Sequence, residues 1–172
     1  MKHAKTFGCG LAVLTLVAAL LPVAAQERGK VELSTGAGKI TVSYGRPQLK
    51  GLDPLTWQKD GAYWRMGSND MTTLTTPAEL AFGSVRVPKG TYGLWLLKVT
   101  NERYELVFNS ATAGMGMTHD KAKDVATVLL KKEAADPAVE TFTIELPGSA
   151  GNGIFVMKWG TVRLSAAFTS AK

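Results

Sequence analysis

The feature that most constrains this chain is an alternation of apolar and polar residues in short runs separated by turns. Lys39–Tyr44, Thr141–Leu146 and Val162–Phe168 each place apolar side chains at every second position. Successive side chains of a β-strand point to opposite faces, so this period predicts half-buried strands. Turn residues such as Pro147-Gly148 follow the runs. The pattern predicts an all-β chain, a single antiparallel β-sandwich-like domain with one long ordered loop at about residues 45–70.

Shorter or more apolar runs predict the remaining strands. One segment, His119–Ala135, fits two structures, because its apolar residues suit a helix face and the run Val125–Leu130 suits a strand about equally. We favour a strand near Val125–Lys131, since the segments around it are predicted strands. The further candidate strands are Val31–Leu33, Met71–Thr75, Glu79–Phe82, Val85–Val87, Thr91–Val99, Tyr104–Phe108 and Ile154–Trp159.

The N-terminal residues have the three-part pattern of a secretory signal peptide. A basic start is followed by an uncharged apolar run, Leu11–Leu21, and by small residues that end at Ala25. An uncleaved anchor is the alternative, but the run is shorter than the ~20 residues of a spanning helix. Cys9 precedes the run, which argues against a lipoprotein. The prediction is a signal peptide at residues 1–25, cleaved near Ala25, and a periplasmic or extracellular mature protein.

Cleavage would change the composition that bears on function. It would remove Lys2, Lys5 and Cys9, lowering the formal net charge from +6 to +4 and leaving no thiol. The remaining basic residues form no stripe with interleaved aromatics, so nucleic-acid binding is not expected. We also expect no transmembrane span in the mature chain and no cofactor. The mature residues predict a single domain at about 28–170.

The long loop between two predicted strands carries the candidate ligand-binding residues. A loop of this length in a compact domain is usually functional, and its aromatic residues indicate that it is packed. Arginine binds carboxylate or phosphate in a bidentate manner, and aromatic faces stack on sugars. The same groups could instead lock the loop. Arg65 would then bond to carbonyls or to Asp70, and Trp64 would fill the core. The candidates are Arg46, Lys50, Tyr63, Trp64, Arg65 and Asn69.

Five segments in one order give the chain a family resemblance. It resembles the exported bacterial proteins grouped as domain of unknown function 2911, from about Lys30 to Phe168, and this resemblance implies an exported, mainly β domain with no established activity. The Gly/Met-rich stretch Ala111–Thr118 departs from the expected pattern. The segments are Tyr44-Gly-Arg-Pro-Gln-Leu-Lys-Gly51, Trp64-Arg-Met-Gly-Ser-Asn69 with Thr72, Pro88-Lys-Gly-Thr-Tyr-Gly93, Tyr104-Glu-Leu-Val-Phe-Asn109 and Trp159.

Few residues suit catalysis or metal binding. After cleavage His119 is the single histidine, no nucleophile elbow is present, and His119 is expected to be a solvated loop residue. A metal site built from His119, Asp120 and Asp124 matches no known ligand spacing, so no metal is predicted.

Three hypotheses for function follow from these residues. The first is a non-catalytic binding or interaction module of the bacterial envelope, with an anionic or carbohydrate envelope component as its candidate partner. The second is a hydrolase of envelope carbohydrate, in which two carboxylates face each other across a cleft. The third is an assembly role through an exposed strand edge. The candidate acids for the hydrolase are Asp53, Asp60, Asp70 and Glu79.

Overall fold

A computed structural model describes residues 28–51, 55 and 58–171. These residues form antiparallel strands and one turn of 3-10 helix at Lys121–Lys123, with no α-helix among them. The predicted all-β antiparallel class is therefore confirmed. The strands are β1 Arg28–Thr35, β2 Gly38–Gly45, β3 Tyr63–Trp64, β4 Thr73–Thr76, β5 Leu80–Phe82, β6 Val85–Val87, β7 Gly90–Thr100, β8 Arg103–Asn109, β9 Asp124–Glu145, β10 Gly148–Ser149 and β11 Asn152–Ser170.

The strands form one open sheet in the order β1-β2-β4-β7-β8-β9-β11-β5-β6, with β3 also paired to β7 and β10 to β11. One very long strand, β9, connects its halves. The first part of β9 pairs with β8, and its later part pairs with β11. The sheet therefore folds over its own apolar face, as in a sandwich, and the main core lies between the two halves.

Two long strands replace four predicted ones. The run at Val125–Lys131 is a strand, as favoured, but it continues through the run at Thr141–Leu146 as β9, and the two predicted C-terminal strands join as β11. The alternation breaks inside each long strand because the pairing is irregular there. The register shifts on both sides of Gly160, which has a φ of 60°. A bulge of this kind changes which face the following side chains occupy, so the sequence pattern resembled the end of one strand and the start of another.

The core is rich in aromatic contacts between strands that are distant in sequence. Trp64 of β3 stacks on Trp159 of β11, with ring centroids 5.2 Å apart. Phe142 of β9 packs edge-on against Trp64, Trp159 and Tyr44, at 5.0, 5.8 and 5.7 Å. Edge-to-face pairs of this kind stabilise a core beyond the area that they bury. They fasten the two halves of the sheet together.

The predicted long loop contains a short strand and is held by polar contacts. β3 pairs Tyr63 with Leu97 and Trp64 with Leu96 of β7. Lys98 is buried, and its ammonium donates to the carbonyls of Leu55 and Gln58 at 3.0 and 2.8 Å. A buried cation requires such partners, so these bonds position the loop against the end of β7.

Candidate functional site

A second, smaller cluster lies on the outer face of the sheet, away from the main core. Met71, Trp95 and Val107 are buried there, with Tyr63 and Leu97 packed against them. The outer face of an antiparallel sheet is usually polar, since water covers it. Here the loop Ser110–Asp120, which we call the methionine loop, adds His119 to the cluster. We call Tyr63, Met71, Trp95, Val107 and His119 together the outer cluster.

His119 is held by rings and by a carboxylate. Its ring stacks on Tyr63 at 3.7 Å between centroids, and it meets Trp95 edge-on at 5.1 Å. Its Nε2 lies 2.8 Å from Oδ1 of Asp124, and only 6% of its side chain is exposed. The expectation of a solvated loop histidine is therefore wrong. Sequence spacing could not reveal this, because Tyr63 and Trp95 are distant in the chain.

Asn109 holds both ends of the methionine loop. Its Nδ2 donates to Oδ1 of Asp124 at 2.7 Å and to the carbonyl of Asp120 at 2.8 Å, while its Oδ1 accepts from the backbone N–H of Ala111 at 2.9 Å. Asp120 begins the 3-10 turn by accepting from the N–H of Ala122. Asn109, a buried side chain, thus orients the pair of His119 and Asp124. In the sequence, Asn109 directly follows the predicted strand Tyr104–Phe108.

The methionine loop lies directly over the cluster. The N–H of Met71 donates to the carbonyl of Gly114 at 3.2 Å, and Gly116 lies against Met71 and Arg65. Arg65 donates to the carbonyl of Met115, and its Nη1 lies 3.9 Å from the sulfur of Met117. Met115 and Met117 are 57% and 79% exposed, unusually high for large apolar residues. The loop thus displays two thioethers to solvent beside the cluster.

Charged side chains of both signs lie near the outer cluster, and Arg28 donates to the carbonyl of Met71 at 3.1 Å. The pKa of Tyr63 is raised above its usual 10.0, first by burial and then by the carboxylates of Asp124 and Glu105. Glu105 is itself bonded to Arg103 at 2.7 Å. The indole Nε1 of Trp95 is buried and has no hydrogen-bond partner within the described part of the chain. A buried polar group without a partner is unusual and calls for an explanation.

The structure divides the six predicted ligand-binding residues among different places. Tyr63 and Trp64 are neighbours in β3, so their side chains leave on opposite faces, Tyr63 to the outer cluster and Trp64 to the main core. Arg65 joins Tyr63 beside the methionine loop and bonds a carbonyl there. The remaining three are Arg46, Lys50 and Asn69.

Lys50 and Asn69 belong to turns. Both adopt positive φ, at 49° and 61°, and both are exposed. The backbone N–H of Lys50 donates to Glu140 at 3.1 Å, which ties the loop to β9. Arg46 is half-buried at the end of β2. Lys50 and Asn69 thus lie in exposed turns, whereas Tyr63 and Arg65 lie beside the methionine loop.

Two of the candidate acids of the hydrolase hypothesis, Asp60 and Glu79, lie near cations. Asp60 lies 3.9 Å from the ammonium of Lys98, and Glu79 lies 3.5 Å from Arg86. Asp70 is exposed, and Asp53 lies outside the described residues. Over the same described ranges, no group of three His, Cys, Asp or Glu side chains is arranged to hold a metal ion, and no helix is long and apolar enough to cross a bilayer.

Two shallow grooves lie elsewhere on the sheet. One, of about 600 Å³, lies beside β10 and β11, and a neighbouring one, of about 830 Å³, lies between the β5–β6 turn and β9. Both include Ile154, which is 37% exposed. None of the six predicted residues lines either groove.

Some of the recognisable sequence segments make close contacts beside the outer cluster, whereas Trp159 belongs to the main core. Gly93 lies where any side chain would overlap the carbonyl oxygen of Ala111 and the sulfur of Met71, and Gly45 lies equally close to the backbone of Ser68. Thr72 donates to the carbonyl of Met66 at 2.6 Å. A family model described as a protein of unknown function, DUF2911, matches residues 26–168. The chain belongs to this family.

The DUF2911 match covers every strand that contributes to the outer cluster. No curated protein matches the chain, and no solved structure does. The function of this DUF2911 chain therefore has to be inferred from its own site.

Proposed function

We propose that this DUF2911 chain is an exported, non-catalytic binding module that uses the outer cluster and the methionine loop as its ligand-contact surface. The observation that supports this proposal is that Tyr63, Trp95 and His119 lie together on the outer face of the sheet, where they do not contribute to the main core. A fold needs only one apolar face of such a sheet, so a second aromatic cluster supports a role in recognition.

The polar groups of the cluster favour binding over catalysis. His119 is oriented by Asp124, but no serine or cysteine nucleophile is bonded to it in the described residues. The buried N–H of Trp95 is a donor that a ligand acceptor could satisfy once the methionine loop moves. Asp60 and Glu79 lie near cations, which gives the hydrolase alternative no support, so we do not propose hydrolysis.

A thermal-shift screen of the full chain against envelope sugars, phosphates and lipids tests the binding module. A ligand that binds the folded state raises the melting temperature, by an amount that grows with its concentration relative to Kd. Tyr63→Ala removes the half-exposed ring of the cluster, and Ile154→Ala is the matched control, since it removes exposed apolar surface elsewhere. We expect a stabilising ligand to act on the parent and on the control, and to lose most of its effect on Tyr63→Ala.

Two results would count against this function. Either no ligand class, metal ions included, raises the melting temperature of the parent, or a ligand stabilises Tyr63→Ala as strongly as the parent. The outer cluster would then be a feature of the fold without a role in ligand binding.

A further inference from the structure

We propose that the outer cluster and the methionine loop form a binding site for a soft monovalent metal ion, Cu(I) or Ag(I). The donors would be the thioethers of Met71, Met115 and Met117 and the Nδ1 of His119. This inference rests on the proposed function, because it assigns a ligand class to the same surface.

The distribution of methionine in the chain is the first observation. Of the six methionines, Met66 and Met157 are fully buried in the main core, and Met1 lies outside the described residues. The other three meet at the methionine loop, where Gly116 lies against the terminal methyl of Met71. Thioethers are soft ligands that select Cu(I) among the biological metals.

The setting of His119 is the second and independent observation. A histidine that binds a metal almost always pairs its other ring nitrogen with a carboxylate, which fixes the ring. His119 has this arrangement, because Nε2 pairs with Asp124 at 2.8 Å and Asp124 is held by Asn109 at 2.7 Å. The ring nitrogen left for a metal is Nδ1. Met71 packs with Trp95, and Trp95 in turn contacts the ring of His119.

The charges around the site favour a cation on one side and oppose it on the other. Asp124 and Glu105 favour a cation, and after burial they raise the pKa of Tyr63, although Glu105 is paired with Arg103. Two guanidinium groups oppose a cation, because that of Arg65 lies 3.9 Å from the sulfur of Met117 and that of Arg28 donates to the carbonyl of Met71 at 3.1 Å. That sulfur belongs to an exposed side chain, which can change rotamer without disturbing the core. The proposed site requires it to turn from Arg65 toward His119.

The donor set argues against other metals. Zinc sites use thiolate, imidazole and carboxylate, and the described residues supply one histidine and no cysteine here. Calcium and magnesium require several oxygen ligands. The acids near His119 are already bonded to protein groups. A soft ion is therefore the metal class that these residues fit.

Methionine-methyl NMR with silver nitrate provides a residue-specific test. The full chain would carry Cys9→Ser in every sample, because Cys9 is the only thiol and would itself bind silver. Chloride-free buffer keeps Ag(I) in solution. We expect the ε-methyl signals of Met71, Met115 and Met117 to shift and to saturate near one equivalent, while those of Met66 and Met157 stay in place.

Affinity measurements on variants provide the second part. Competition of Cu(I) under ascorbate against a chromophoric Cu(I) chelator gives Kd for each protein. We expect Met115→Leu with Met117→Leu to weaken binding at least about tenfold, and Asp124→Asn to weaken it by about 10- to 100-fold through the loss of ring orientation. Met157→Leu, which removes a thioether from the main core, is the matched control and should bind like the parent.

The proposal is overturned if the methyls of Met115 and Met117 do not respond to silver, or if the double variant binds as tightly as the parent. The two proposals fail separately. An organic ligand that stabilises the parent but not Tyr63→Ala, without any response to silver, would retain the binding module and exclude the metal site.

Discussion

Asn109 is the residue on which the geometry of the candidate site depends most directly. It is 1% exposed and makes three hydrogen bonds, which join the end of β8 to the loop and to the start of β9. A partly buried carboxylate such as that of Asp124 is stabilised when its oxygens are paired. Asn109 and His119 provide that pairing. The position of His119 therefore follows from a residue ten positions earlier in the chain.

Replacing Asn109 tests this dependence. Asn109→Ala leaves Asp124 with one donor fewer and releases both ends of the methionine loop. We expect the free energy of unfolding to fall by about 1–3 kcal/mol, the usual penalty for a buried polar group that loses its partner. Chemical denaturation measures the change. Ser110→Ala, at the exposed neighbouring position, should be nearly neutral, and equal stability of the two variants would contradict the role of Asn109.

Close approach of backbones shapes the site at the level of the elements. β7 and the methionine loop touch at Gly93, and β2 touches the Met66–Asn69 turn at Gly45. Neither glycine has a φ in the left-handed region, so both are needed for space and not for conformation. A glycine in a strand often marks such a contact. The recognisable segments of this family meet at these points.

Gly93→Ala tests the contact between β7 and the loop. The added methyl would overlap the carbonyl of Ala111 and the sulfur of Met71, and the backbone must move to accept it. We expect a loss of about 1–3 kcal/mol in unfolding free energy, as overpacking usually produces. Gly36→Ala is the matched control, because a methyl there meets no atom within 4 Å. If Gly93→Ala were as stable as this control, the methionine loop would be able to move away from the added methyl at no cost in unfolding free energy.

The whole molecule is held by the fold-over of one sheet. β9 extends through both halves, pairing with β8 in one and with β11 in the other, and the rings of Tyr44, Trp64, Phe142 and Trp159 meet between the halves. Because these rings come from four different strands, their contacts form only when the halves close. Such long-range contacts favour a single cooperative unfolding transition.

Phe142→Ala tests the contribution of this aromatic contact. Truncation of a fully buried phenylalanine leaves a cavity, so we expect about 3–5 kcal/mol of destabilisation. Leu129→Ala, 61% exposed on the same strand, should change stability by about 0.5 kcal/mol or less. Urea denaturation monitored by tryptophan fluorescence and by circular dichroism compares them. A small effect of Phe142→Ala would show that the halves are held by other contacts.

The sequence alone predicted much of the fold and part of the site. Alternation is a local property, so the β class, most strand positions and the strand at Val125–Lys131 could be read from the chain. Of the six predicted ligand-binding residues, Tyr63 and Arg65 lie beside the methionine loop, and the ligand-binding role of all six stays a prediction. The resemblance was confirmed by the family match. The export signal, which lies outside the described residues, stays a prediction.

The tertiary structure decided those features that a local sequence pattern does not encode. Tyr63 and Trp64 separate because β3 pairs with β7 and each ring then faces a different side of the sheet. His119 is buried because residues distant in sequence supply its ring and carboxylate partners. The predicted strands merge because bulges interrupt the alternation without ending the pairing. In each case the deciding interaction is between segments far apart in the chain, whereas the alternating period records only which side of its own strand a residue occupies.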